Sequence, residues 1–257
     1  MARFTVRTHV LLGALAAAGF ALAAWSAPSA SITAAVADPA RPADDTQRDA
    51  DRKPAAMLEF AGVRPGETVI DLIAGRGYFT RLFSAAVGPA GKVYAVATVR
   101  PADAPADAPD RSAPVKAIAA DPHYGNVTAE VVNLREYAHS PPVDLIWTSQ
   151  NYHDLHNVKG LDVVGLDKAL FAALKPGGTF IVLDHSAEAG SGFRDTDTLH
   201  RIDEEAVKKE VESAGFKFEG ESNVLRNKDD PRTAKVFDPS IRGHTDQFIL
   251  KFRKPKS

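Results

Sequence analysis

The chain reads as an α/β fold: a seven-stranded, mostly parallel sheet with helices on both faces and an antiparallel strand at one edge. Three observations predict it. Short β-branched runs alternate with amphipathic segments from residue 54 onward, the pattern of strands joined by crossover helices. One of these runs, Thr68-Val-Ile-Asp-Leu-Ile73, ends on Gly75-Arg-Gly77 just before an amphipathic stretch, which describes a tight strand-to-helix turn. Setting an N-terminal leader aside leaves roughly 220 residues, enough for one domain with a single large core.

The leader comes first. Arg3 and Arg7 precede an uncharged apolar run over residues 10–25, and small residues follow to Ala37, the layout of a secretory signal peptide. Residues 1–37 are therefore read as signal peptide. Ala35 and Ala37 satisfy the small-x-small rule for cleavage, and residues 27–35 offer rival bonds. The run is too short and too rich in alanine for a spanning helix, so the mature form is expected to have no membrane span and to be periplasmic or secreted. The chain has no cysteine, which excludes disulfides and a lipoprotein thioether anchor. Residues 38–53, rich in Asp, Arg, Pro and Ala, read as a mobile linker, and residues 54–257 as the folded domain.

Within that domain, residues 54–61 predict a short helix with Pro54 in its first turn and Gly62 behind it. Strands are predicted at 68–73, 92–97, 127–132, 143–148, 179–184, 217–224 and 246–252. Helices are predicted at 78–87, 113–120, 160–174 and 203–214. Residues 101–114 carry four prolines and read as an extended loop.

In an open parallel sheet, ligands sit beyond the carboxyl ends of the strands near the switch in strand order. That rule selects Asp71, Ala74, Gly75, Gly77 and Tyr78 after the first strand, Thr98 after the second and Asn133 after the third. It also selects Gln150 to His156 after the fourth strand and Asp184 to Ser186 after the fifth. Imidazole titrates near neutral pH, so His153 and His185 are the candidate catalytic residues for taking a proton from a substrate. His153, Asp154, His156, Asp184 and His185 are also donors that zinc or manganese accepts. Their His-Asp-x-His spacing does not put two imidazoles on one helical face, and no metal site is assigned. Neither Ser149 nor Ser186 lies in a Gly-x-Ser-x-Gly elbow. Arg194, Arg201, Arg226, Arg232 and Arg242 are candidates for grasping a carboxylate or phosphate. A net charge of −2 gives no electrostatic footprint for nucleic acid.

Asp71 with its glycine turn, Val143-Asp-Leu-Ile-Trp-Thr-Ser149 and Lys175-Pro-Gly-Gly-Thr-Phe-Ile-Val-Leu-Asp184 resemble the first motif, fourth strand and fifth strand of the class I S-adenosylmethionine (SAM)-dependent methyltransferases. More narrowly, Asp71-Leu-Ile-Ala-Gly-Arg-Gly-Tyr-Phe-Thr80 with Asn151-Tyr-His-Asp-Leu-His156 resembles a group of predicted methyltransferases of bacterial envelopes. The likeness spans residues 54–254. It implies a Rossmann-like sheet, SAM as cofactor and methyl transfer to a small-molecule acceptor. The implied cofactor-binding set is Asp71, Ala74, Gly75, Gly77, Tyr78, Thr98, Asn133 and Gln150, with His153 or His185 deprotonating the acceptor. Two positions depart from the family pattern: Ile73 stands where the first glycine of the turn belongs, and Ala97 and Thr98 stand where an acid binds the ribose hydroxyls. Two other functions stay open on this scaffold: an exported binding protein that has lost SAM, and a histidine- or metal-dependent enzyme.

Overall fold

Five strands pair in parallel: β1 (Thr68–Leu72), β2 (Lys92–Thr98), β3 (Val127–Val132), β4 (Val143–Ser149) and β5 (Leu174–His185). β6 (Lys217–Ser222) and β7 (Gln247–Arg253) complete the sheet, β7 running antiparallel to both β5 and β6. The order is β3-β2-β1-β4-β5-β7-β6, so the chain switches direction across the sheet between β1 and β4. This computed structural model describes Met1 and residues 29–100, 104–105 and 107–256. The expected signal run at 10–25 lies outside the described residues.

The central strands are apolar on both faces, as strands covered by helices on each side must be. On one face, Val69, Val93, Leu145 and Trp147 pack with α1 (Ala30–Val36), α4 (Pro54–Ala61), α5 (Tyr78–Val87) and α6 (Ala113–Ala120). Trp147 anchors this layer, its ring centroid 4.5 Å from that of Phe79 and 5.6 Å from that of Phe83. On the other face, Ile70, Ile146 and Phe180 pack with α7 (Tyr152–Leu155), α8 (Val163–Ala173) and α9 (Glu204–Ser213). No helix among the described residues is long and apolar enough to cross a membrane.

Two strands depart from their predicted bounds by more than one residue at an end. β5 begins at Leu174 rather than at 179, because Leu174 pairs with Val143 before Thr179 pairs with Leu145. Lys175-Pro-Gly-Gly178 is thus a bulge inside the pairing. β6 stops at Ser222, and the next residues turn, with Arg226 N donating to Asn223 O.

Residues 38–53 are not a mobile linker. They form α2 (Ala43–Thr46) and α3 (Asp49–Arg52), and Arg41 and Asp45 are buried. Arg41 holds Asp49 with two hydrogen bonds of 2.8 and 2.6 Å and donates to Val36 O at 2.7 Å. Asp49 in turn accepts the Tyr78 hydroxyl at 2.7 Å, which fixes the segment to the first turn of α5. α1 is also part of the body: Ser29 caps it, and its Ile32 and Ala35 lie in the core. A domain boundary at 37 or 54 would remove these residues from the structure they complete. Losing the buried guanidinium and its hydrogen bonds to half-buried Asp49 is costly, so Arg41→Ala should lower stability by about 2 kcal/mol, measured by denaturant unfolding. An unchanged midpoint would return the segment to the status of a linker.

Candidate active site

The switch point between β1 and β4 opens into a cleft with two adjoining lobes. The smaller, about 310 Å3, is lined by Asp71, the turn Ile73 to Arg76, Tyr78, Asn151, Arg48 and Arg52. Gly75 has φ 58°, and an added Cβ would meet nothing within 4 Å, so its bare backbone faces the open lobe. Gly77 serves a different purpose. A Cβ there would come within 2.1 Å of Ile118 Cδ1, so Gly77 lets α6 pack against the turn. Ile73 adopts φ 55° at the position where glycine is usual, a left-handed conformation that a β-branched residue rarely takes. Asn151 helps secure it by donating from Nδ2 to Ile73 O at 3.0 Å while bonding the Thr148 hydroxyl.

Charge is arranged around this lobe. Asp71 is buried at the end of β1 and accepts the Thr80 hydroxyl at 2.6 Å. Burial pushes its carboxyl up to about 7, against the Thr80 hydrogen bonds and the positive charge of Arg52. The Arg52 guanidinium sits 4.7 Å from the Tyr78 ring centroid and 5.7 Å from that of Phe79, and it donates to Gln150 Oε1 at 2.5 Å. Burial and the neighbouring Arg48 lower its pKa to about 10, which leaves it cationic at physiological pH. A zwitterionic amino-acid group therefore finds an acid and two guanidinium groups in one small space.

The larger lobe, about 490 Å3, shares Arg48, Arg52, Phe79, Ser149 and Gln150 with the smaller. Leu183, Leu225, Val236 and Phe237 give it apolar walls, and His185, Arg242, Thr245 and Gln247 polar ones. His185 Nδ1 lies 2.7 Å from Thr245 Oγ1. Desolvation lowers its pKa to about 4 despite the adjacent Asp184, so its ring is neutral at physiological pH.

His153 faces elsewhere. It is buried at the start of α7, with Nδ1 2.8 Å from Asp184 Oδ1 and its backbone N–H donating to Asp184 Oδ2 at 2.8 Å. Burial opposes its charged form, but the Asp184 carboxylate outweighs that and raises its pKa. Its Nε2 points to His200 and Asp154 rather than into either lobe.

The cleft therefore gathers Asp71, Ala74, Gly75, Tyr78, Gln150 and His185 from the expected set, with Gly77 supporting the turn. Thr98 and Asn133 lie at the correct strand ends but line neither lobe. Asn133 is occupied in accepting the Arg135 N–H at 3.2 Å, capping a short 3-10 turn. Ala97 is buried in the core layer beneath α5. Sequence reasoning missed Arg48 and Arg52, whose four-residue spacing was the available signal. Of the C-terminal arginines, Arg242 lines the larger lobe. Arg201 is buried against Asp230, Arg232 pairs with Asp246, Arg226 pairs with Glu204 and Arg194 with Asp195. A separate cavity of about 730 Å3, lined by Asp38, His123 and Asn126 among others, lies by the loops that precede β2 and β3, away from the strands' carboxyl ends.

No protein-family model and no curated protein matches the chain, whereas solved structures do. A SAM-dependent methyltransferase from Mesorhizobium loti is 18% identical over 80% of this chain and 99% of its own, with a TM-score of 0.55. The 1,6-didemethyltoxoflavin-N1-methyltransferase of Burkholderia thailandensis, with S-adenosylhomocysteine bound, is 19% identical over 82% of this chain and 80% of its own, at a TM-score of 0.53. The cyclase SpnF is 18% identical over 82% of this chain and 83% of its own, at 0.60. The fold is that of the class I SAM-dependent methyltransferases. In this methyltransferase fold the glycine turn, Asp71 and Gln150 stand at the expected ends of β1 and β4.

The raised pKa of Asp71 has a testable sign. In the folded, ligand-free protein Asp71 keeps a proton that the unfolded chain releases near pH 4, so its contribution to stability is full below that pH and is lost as pH rises through about 7. Asp71→Asn should therefore gain on the parent between pH 4 and pH 8, by up to about 4 kcal/mol, in unfolding curves taken at both pH values. A constant difference would show that folding leaves the Asp71 pKa at its ordinary value.

Proposed function

We propose that the chain is a SAM-dependent methyltransferase of a small-molecule acceptor, working in the periplasm or outside the cell. The observation that carries this reading is the smaller lobe, which the open face of Gly75 lines together with buried Asp71, Arg48 and Arg52. Asp71 suits the ammonium of the methionine end and the arginines suit its carboxylate. Bound there, SAM supplies a methyl group on an already activated sulfonium.

The larger lobe then receives the acceptor, its apolar walls holding the body while Arg242, Gln247 and Thr245 orient the polar head. His185 is the imidazole that meets the acceptor. Being neutral, it accepts a hydrogen bond or a proton from the attacking atom. Alignment of acceptor and sulfonium across the shared wall supplies the remaining rate enhancement. Location rests on the charged start and apolar run of the leader. The packing of α1 into the core supports cleavage before Ser29 among the rival bonds.

Calorimetric titration with SAM and S-adenosylhomocysteine should give saturable one-to-one binding. Its affinity should be about ten- to a hundredfold weaker than a site with a ribose carboxylate achieves, since Ala97 and Thr98 offer none. Gly75→Val should abolish this binding by filling the lobe while costing about 1–3 kcal/mol of stability for its left-handed backbone. No heat at millimolar SAM, or equal binding by the folded variant, would contradict the assignment. On an acceptor found by screening with labelled SAM, His185→Gln should lower kcat by about 10²-fold with cofactor affinity unchanged. An unchanged kcat would leave alignment as the whole mechanism.

A further inference from the structure

His153, Asp154 and His200 bring three donor atoms together outside both lobes of the cleft. His153 Nε2 lies 3.3 Å from His200 Nδ1 and 3.4 Å from Asp154 Oδ1, and the last two atoms are 3.6 Å apart. Each side of the triangle is close to the edge of a metal tetrahedron. Zinc binds nitrogen and oxygen at about 2.0–2.1 Å, which sets neighbouring tetrahedral ligands about 3.3–3.4 Å apart. An octahedral ion with the same bond lengths would set them about 2.8–3.0 Å apart.

The surroundings prepare each ligand. Asp184 lies 2.8 Å from His153 Nδ1, and a proton held in that bond leaves Nε2 with its lone pair facing His200 and Asp154. This is the carboxylate–histidine arrangement that fixes the tautomer and orientation of a metal-binding imidazole. His200 is placed just as firmly. Its backbone takes φ 55°, and the next residue, Arg201, is buried in a double hydrogen bond to Asp230 of 2.8 and 3.1 Å and donates to Ser186 O at 3.0 Å. Ile202 N donates to His185 O at 3.0 Å, which ties the same strip to the end of β5. Asp154 keeps its side chain 51% exposed, so the cluster opens to solvent on one side.

We propose that His153, Asp154 and His200 hold a divalent cation of the zinc class, with the fourth position open. The His200 ring also lies 5.0 Å from that of Phe237, which walls the larger lobe. With the ion bound, His153 Nε2 takes no proton, consistent with His185 rather than His153 meeting the acceptor. The donors are mixed nitrogen and oxygen with no thiolate, which suits an ion of borderline softness over Mg2+ or Ca2+.

The test uses the full mature chain, stripped of metal by chelator and titrated with Co2+. The expected result is one-to-one binding with the intense visible absorption of tetrahedral cobalt, bleached on adding Zn2+. His200→Asn keeps a residue that tolerates left-handed backbone and removes the imidazole. It should weaken binding by more than about 100-fold, beyond what loss of an outer partner causes, with the metal-free melting temperature preserved. His156→Gln is the control, since His156 stacks on Phe193 and faces Glu210; it should bind cobalt as the parent does. Absence of the tetrahedral spectrum, parental affinity in folded His200→Asn, or an equal loss in His156→Gln would each overturn the proposal. No readout involves methyl transfer, so the metal site and the methyltransferase reading fail separately.

Discussion

The chemistry-bearing end of the sheet depends on one buried carboxylate. Asp184 lies fully inside the protein at the end of β5, where an unpaired charge would be prohibitively costly. It is satisfied by three N–H donors at 2.8 Å: the His153 backbone, the His153 ring and the His185 backbone. Burial would raise its carboxyl, but His153 and His185 hold it below the ordinary range. This single group joins the strand that ends in His185 to the helical turn that follows β4. Its bond to the His153 ring turns that imidazole toward His200 and Asp154, while the His185 ring, held by Thr245, faces the larger lobe.

The opposite wall of the cleft is assembled from the N-terminal segment. Arg41, Asp49 and Tyr78 form a chain of hydrogen bonds that presses α3 onto the start of α5. Because α3 is held there, Arg48 and Arg52 reach the glycine turn. The Arg52 bond to Gln150 then spans the wall common to both lobes. Electrostatics in the smaller lobe thus come from two distant parts of the chain, Asp71 from the sheet and two cations from a segment that precedes it.

Elements with regular periodicity were legible in the sequence. α5, α6 and β3 fall on their predicted bounds, because glycine or proline punctuates an apolar pattern of helical or strand period at each. The strand-end rule likewise brings Asp71, Gly75, Gln150 and His185 to the cleft wall. It failed at Thr98 and Asn133 because topology locates a backbone, whereas Asn133's side chain is directed by a local cap. Residues 38–53 were illegible for a different reason. Their order comes from a half-buried ion pair eight residues apart and a hydrogen bond to Tyr78, neither of which leaves a hydrophobic period. His200 carries no signal in the sequence because its partner His153 lies 47 positions away, and only the sheet's connectivity brings them together.

The central claim is that the glycine turn and α3 together form the cofactor site, and photoaffinity labelling with radiolabelled SAM tests it most directly. After irradiation and digestion, the label should lie in peptides covering residues 48–52 or 71–79, and S-adenosylhomocysteine should suppress it. Label that S-adenosylhomocysteine fails to displace, or label concentrated around His123 and Asn126 by the loops preceding β2 and β3, would contradict the account.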